Sequence, residues 1–299
     1  MYKYAIIAGA TKCATTSLYN YLSDHPQMCA STYKETRFFL NENYPLKRRV
    51  PFSKNISDYN SLFDCNETTS IKLEATPDYL FSADTEKFIS ETLNDCMIIL
   101  LLRNPIDRLI SWYKFSQQMN LLDQKTSFNE YVELMFENKD KSKQHLLALE
   151  QGNYFKYINN YLEYFGKDSV HILLYDSFIK SPFDSAVQIC NKLKINADFY
   201  YDYSFKTHNK TINIKHNKLH GVFNETRRSI RKLVNKAPAK LRSQIKKSGK
   251  KLVSAYLELN TTANSDLSMD DAIKNRLKNY YSDSNAQCET LIGKKTDWN

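Results

Sequence analysis

The stretch Tyr4-Ala-Ile-Ile-Ala8, closed by Gly9, followed by Ala10-Thr-Lys-Cys-Ala14 and then Thr15-Thr-Ser-Leu-Tyr-Asn-Tyr-Leu22, decides the fold. The first five residues are a short apolar run of the kind that forms a buried parallel strand. Leu18, Tyr21 and Leu22 then share one face of a helix that Asp24-His-Pro26 stops. The chain therefore opens as strand, loop and helix.

Outward from there, Ile71-Lys-Leu-Glu74 reads as a short strand cut off by Thr76-Pro77, and Met97-Ile-Ile-Leu-Leu-Leu102 as the strongest strand, with no polar break before Arg103. Asn104 is placed to cap a helix with Pro105 at its first position, and Ile106, Leu109, Ile110 and Tyr113 give that helix its apolar spacing. Further helices are expected from Phe128 to Phe136, Tyr154 to Phe165 and Pro182 to Leu193, with a strand at Val170-His-Ile-Leu-Leu-Tyr175. This alternation predicts an α/β fold: a P-loop-like three-layer domain with a central, mainly parallel sheet flanked by helices. Neither an internal repeat nor a domain boundary is visible. A single domain over residues 1–299 is expected, with a basic helical insert or lid at about 220–260.

Hydrophobic residues at 42% and charged residues at 25% are ordinary globular usage, which argues against disorder. The net charge of +9 suggests an anionic partner. It is a local property: residues 226–257 hold 11 Lys and Arg and no Asp or Glu. The six cysteines, at 13, 29, 65, 96, 190 and 288, form no Cys-x-x-Cys pair and no zinc spacing. Scattered single cysteines fit a reducing compartment. With no signal-peptide core and no apolar run of about 18 residues, a cytoplasmic protein without a transmembrane segment is expected. No metal site is expected.

Gly9-Ala-Thr-Lys-Cys-Ala-Thr-Thr-Ser17 lies where a loop enters a helix, a natural anion site of unpaired N–H groups and helix dipole. Lys12 adds a full charge, and Thr15, Thr16 and Ser17 add hydroxyl donors. Arg103 stands at the carboxyl end of a central strand, where open α/β sheets bind ligands. It is able to grip a phosphate with two hydrogen bonds, and the Ser111 hydroxyl can add a third.

Lys12 before Thr15-Thr-Ser17 resembles the 5′-phosphosulfate loop of sulfotransferases that use 3′-phosphoadenosine 5′-phosphosulfate (PAPS), usually Lys-x-Gly-Thr-Thr or Lys-x-Gly-Thr-Ser. Ala14 is the departure: its methyl group fits if the backbone angles are ordinary, whereas a positive φ is costly. Arg103-Asn-Pro105, Asp107-Arg108 and Ser111-Trp-Tyr113 resemble the same family's 3′-phosphate motif. Tyr33-Lys-Glu-Thr-Arg-Phe-Phe39 is similar to the segment that carries the catalytic glutamate in heparan-sulfate sulfotransferases and their bacterial relatives. The resemblance implies Glu35 as general base, Lys12 stabilising the departing phosphate oxygen, and Lys34 assisting. Arg37 stands where relatives often have His.

Further features are implied by the same resemblance. Residues 12–17 (Lys12, Cys13, Ala14, Thr15, Thr16, Ser17), Arg103 and Ser111 would bind the donor. Asn209 and Lys210, in Lys206-Thr-His-Asn-Lys210, fall where the family places a loop over the nucleotide. Glu74-Ala-Thr-Pro-Asp-Tyr79 is similar to the family's Glu-Lys-Ser-Pro-x-Tyr segment, with Ala75 replacing the lysine. Glu74 either orients Lys12 or Arg37, or is a strand-end carboxylate without a chemical role. Leu277 to Trp298 resembles the family's last helix and closing Trp. The implied activity is sulfuryl transfer from PAPS, with 3′,5′-adenosine bisphosphate (PAP) as product and no metal. The implied acceptor is a hydroxyl or amine, favoured on a saccharide or glycan, lipid-linked ones included; residues 226–257 would then suit an anionic acceptor or a membrane surface.

Two other classes are weighed against this. A P-loop kinase-like phosphotransferase needs Ser or Thr after its loop lysine and an Asp ending a second strand for magnesium. Here Cys13 follows Lys12, and the strongest strand ends at Arg103. A nucleic-acid-binding protein would use residues 226–257, but that stretch has no recognised fold signature and no aromatic interleaving beyond Tyr256.

Overall fold

The computed structural model describes residues 3–206 except 54 and 139, then 213–214, 223, 226, 230, 256, 261–262 and 267–298. Five strands, β1 (Tyr4–Gly9), β2 (Met28–Ala30), β3 (Ile71–Ala75), β4 (Cys96–Leu102) and β5 (Val170–Leu174), form one sheet in the order β2-β3-β1-β4-β5. Every pairing in it is parallel, so the expected mainly parallel sheet is wholly so. Each residue of β1 and β4 is buried, as befits central strands covered on both faces. The missed strand, β2, has three residues and no periodicity to read.

The helices follow the apolar spacing. α1 (Thr15–Ser23) follows β1, α2 (Ile56–Asn60) and α3 (Thr85–Thr92) bracket β3, and α4 (Pro105–Gln118) follows β4. The Asn104 side chain caps α4, its Oδ1 accepting from the Ile106 and Asp107 amides at 2.9 and 3.3 Å. Of the expected apolar positions of α4, Leu109 and Tyr113 are buried, while Ile106 and Ile110 are half-buried and Arg108, Trp112 and Ser116 complete the buried face. The helix sits between two apolar clusters. One surrounds the sheet, and the other joins Trp112 to Phe128 and Tyr131 of α5 (Phe128–Glu137) and to Leu277 and Tyr281 of the closing helix, Asp271–Ile292. α6 (Tyr154–Ser169) is broken at Gly166, whose φ of 72° lies in the left-handed region. α7 (Tyr175–Lys180) and α8 (Pro182–Leu193) follow β5. Trp298 is buried with its ring 5.8 Å from Tyr154.

A 3₁₀ turn, Pro77–Phe81, leaves β3 and presses on β1. A side chain at Gly9 would place its Cβ 2.7 Å from Leu80, so only glycine lets the turn approach that closely. Asp78 thereby reaches the carboxyl edge of the sheet.

One expectation is corrected. Cys29 and Cys65 form a disulfide, 36 residues apart, instead of remaining single thiols. The bridge between Ser31 and Phe63 draws the two segments together, and no sequence spacing signals such a pair. Residues 226–257, apart from Thr226, Ile230 and Tyr256, lie outside the described residues, as do Asn209 and Lys210.

Candidate active site

All five parallel strands end at one edge of the sheet, and the segments leaving them line one cleft of about 1120 Å³. Lys12 and the start of α1 follow β1. Lys34, Glu35 and Arg37 come after β2, Pro77 and Asp78 after β3, Arg103 after β4, and Tyr175 after β5. The structure thus gathers most of the sequence-predicted residues around a single space, with Thr15, Thr16, Ser17 and Ser111 also on its wall. Cys13 is the exception. Its side chain is fully buried beneath the loop, and burial pushes its thiol up to about 11.

The loop is held from behind by Arg108. Its Nε donates to the Thr11 carbonyl at 3.1 Å, and one terminal nitrogen to the Thr11 hydroxyl at 3.1 Å and to Gln151 Oε1 at 2.9 Å. The other terminal nitrogen donates to the Ala148 carbonyl at 3.0 Å, and Trp112 Nε1 also donates to Thr11 Oγ1 at 3.1 Å. Among the described residues Arg108 therefore pairs with no carboxylate, as an isolated Asp-Arg motif suggests it would; it is fully buried. Sequence reasoning left it out of the site because a lone arginine on a helix is usually exposed.

The loop itself departs from ordinary geometry. Lys12 and Ala14 have φ of 69° and 60°, so the methyl group of Ala14 sits in the left-handed region that disfavours a Cβ. The amides of Thr15 and Thr16, in the first turn of α1, have no carbonyl four residues back within the helix. Burial, with help from Arg103 and Arg108 and against the pull of Cys13, lowers the Lys12 ammonium to about 8. It lies 4.1 Å from the centre of the Phe115 ring.

Across the cleft, Arg103 sits 4.5 Å from the Tyr175 ring centre and pairs with Asp107 at 3.5 Å. Its Nε is buried and has no partner among the described residues, as is true of the Nε of Arg37. A buried donor left unpaired is costly, and each can donate to an oxygen of a ligand.

Glu35 is clamped from β3. The Ala75 amide donates to the Lys34 carbonyl at 3.1 Å and the Arg37 amide to Thr76 Oγ1 at 3.1 Å. Glu74 is fully buried and accepts from the hydroxyls of Thr36 at 2.7 Å, Thr76 at 2.6 Å, Tyr59 at 3.0 Å and Tyr79 at 3.1 Å. It touches neither Lys12 nor Arg37 directly; it holds the backbone beside Glu35. Burial raises its pKa despite those hydroxyls. Glu35 itself pairs with Lys34 and Arg37, each at 3.3 Å. Burial pushes its carboxyl up, but the two cations outweigh that, so its pKa lies below the ordinary value.

Asp78 is a site residue that sequence reasoning did not single out; nothing distinguishes one acid in a loop until the loop is folded. It is buried, and its Oδ1 accepts from Tyr44 at 2.9 Å and Gln144 at 2.7 Å. Burial, reinforced by Glu35 and opposed by the Tyr44 hydrogen bond and Arg37, pushes it up to about 6. Since Gln151 also donates to Tyr44 at 3.2 Å, hydrogen bonds run without a gap from Thr11 through Arg108, Gln151 and Tyr44 to Asp78. Chemically, the arrangement offers a cationic, donor-rich end for a polyanion, with an ionised carboxylate on the facing wall.

Comparison with known proteins agrees. The chain matches the sulfotransferase domain over residues 3–279, and it belongs to that family. It is 35% identical over 113 residues to the membrane-associated sulfotransferase Kil1 of Dictyostelium discoideum, covering 38% of this chain and 23% of that one. To the human bifunctional heparan sulfate N-deacetylase/N-sulfotransferase 3 it is 29% identical over 116 residues, covering 36% of this chain and 12% of that one. The chain thus matches less than a quarter of the length of these two relatives. A sulfotransferase crystal structure from Alicyclobacillus acidocaldarius has the same fold, with a TM-score of 0.67 at 21% identity over 99% of this chain and 98% of that one.

Two measurements test the site's energetics. Ala14→Gly removes the left-handed penalty and is expected to stabilise the chain by about 0.5–1 kcal/mol, seen as a higher urea midpoint. A lower midpoint would mean that the methyl group contributes more by packing than it costs. Asp78→Asn keeps the Oδ1 acceptor. Because the Asp78 pKa is raised on folding, its favourable contribution is complete below its unfolded value and is lost as pH rises through about 6. The variant should therefore exceed wild type in stability by about 2–3 kcal/mol at pH 8, with the gap closing towards pH 4. A gap that does not change with pH would contradict the assignment.

Proposed function

We propose that this protein transfers a sulfuryl group from PAPS to an acceptor hydroxyl or amine, with a saccharide as the favoured acceptor. The observation that supports it most is the placing of Lys12, Arg103 and Glu35 around one cleft, where the buried Arg103 Nε has no partner among the described residues. A nucleotide with phosphates at its 5′ and 3′ positions would meet the Lys12 loop and α1 start with one, and Arg103 and Ser111 with the other. The residues present fit that group: a loop lysine, helix-start amides, hydroxyls and an arginine with a spare donor.

Glu35 acts as general base. At neutral pH it is ionised, because Lys34 and Arg37 hold its pKa low against burial. A base so weakened takes the acceptor proton only as the new bond to sulfur makes that proton acidic. The acceptor oxygen or nitrogen bonds to sulfur while the bond from sulfur to the phosphate oxygen breaks. Lys12 holds the charge that gathers on that oxygen, and its desolvated site strengthens the interaction. The Glu74 hydroxyl cluster keeps Glu35 in place.

Two variants separate binding from chemistry. Glu35→Gln should lower kcat by about 10²–10⁴-fold while PAP affinity stays within about twofold. Arg103→Ala should weaken PAP binding by about 2–4 kcal/mol. Loss of PAP binding in the glutamine variant, or unchanged PAP affinity in the alanine variant, would remove that residue from its role.

A further inference from the structure

We infer that a second pocket, beside the catalytic cleft, is a subsite for an uncharged sugar unit of the acceptor, so that the enzyme acts on an oligosaccharide rather than a monosaccharide. This deepens the function proposed above and rests on its saccharide acceptor. The pocket is about 430 Å³, within the range of small-molecule sites. Pro45 lines both it and the cleft. Tyr44, on the pocket's wall, donates through its hydroxyl to Asp78 on the wall of the cleft, so one layer of side chains divides the two spaces.

The chemistry of the two spaces differs. The cleft is lined by six cationic side chains, Lys12, Lys34, Arg37, Arg103, Lys114 and Lys143, against three carboxylates, Glu35, Asp78 and Asp107. That excess suits a polyanionic donor. The second pocket is balanced, with Lys141 and Lys156 against Glu86 and Glu150. Both lysines are already committed to one carboxylate, Lys156 at 2.7 Å and Lys141 at 3.7 Å from Glu150. The pocket thus has no net positive charge to favour an acidic sugar.

What remains is suited to a neutral polyhydroxylated ring. Three asparagines, Asn41, Asn43 and Asn160, reach the pocket. The side-chain amide of Asn43 makes no hydrogen bond among the described residues and offers a donor and an acceptor together, as two neighbouring hydroxyls require. Asn160 spends its Nδ2 on Glu86 at 3.3 Å and keeps its carbonyl oxygen. Phe81 and Tyr157, with ring centres 5.1 Å apart, supply apolar surface for the C–H face of a sugar.

The test is calorimetry on the PAP-saturated protein with three probes: N-acetylglucosamine, its β-1,4-linked tetramer, and a tetrasaccharide in which uronic acid alternates with N-acetylglucosamine. The neutral tetramer is expected to bind at least about tenfold more tightly than the monosaccharide and more tightly than the charged tetrasaccharide. Ala83→Trp, at an exposed position on the rim, should erase that advantage and leave PAP affinity unchanged; Asn43→Ala should reduce it. Equal affinity for monosaccharide and tetramer, no binding of any saccharide, or an advantage that survives Ala83→Trp would overturn the subsite while PAP binding stood. Failure of wild type to bind PAP would instead overturn the function itself.

Discussion

A buried guanidinium organises this molecule. Among the described residues Arg108 makes four hydrogen bonds, to two carbonyls, a hydroxyl and an amide oxygen, and none of them goes to a carboxylate. Keeping a charge away from water is expensive unless every donor is used and something compensates. The hydrogen bonds largely meet the first need, giving each of its three nitrogens a partner, and tie the Lys12 loop, through Thr11, to the segment that carries Ala148 and Gln151. The second need explains the cleft. Among the described residues no carboxylate pairs with it; after burial and Arg103, it adds to what depresses the Lys12 ammonium, and it adds to the positive potential at the loop. A polyanionic ligand would relieve it, so the clamp and the binding site are one electrostatic problem.

The opposite wall solves a different problem, that of fixing one carboxylate on a loop. Glu74 gathers four hydroxyls at the end of β3 and so immobilises the backbone on either side of Glu35. Phe38 and Phe39 anchor the same segment in the core, packed on Tyr59. The left-handed residues of the described chain include Lys12, Ala14 and Arg37, all on the cleft. Such angles persist only where surrounding contacts over-determine them, and they collect at functional sites.

Much of the fold was legible because burial leaves continuous apolar runs. β4 is seven buried residues in a row, and the Asn104-Pro105 cap is a local signal with a local cause. Of the candidate site, the sequence motifs pointed to Lys12, Glu35 and Arg103, and these three do lie on one cleft. It was not legible where meaning depended on tertiary neighbours. Arg108 reads as a surface residue until Thr11 and Gln151 are brought to it. Asp78 is unremarkable until the turn against Gly9 carries it to the cleft. Ala14 reads as tolerable until its φ is known, and Cys29 and Cys65 carry no spacing that announces their bond. Glu74, left between two roles on sequence grounds, holds the neighbours of Glu35 instead of touching Lys12 or Arg37.

The proposed role of the cleft requires that it prefer a nucleotide with a 3′-phosphate. The most direct measurement is calorimetric titration of the purified protein with PAP, ADP and ATP in the absence of magnesium. The account predicts clear preference for PAP. Preference for ATP, or binding that appears only when magnesium is added, would contradict it and point to phosphoryl transfer.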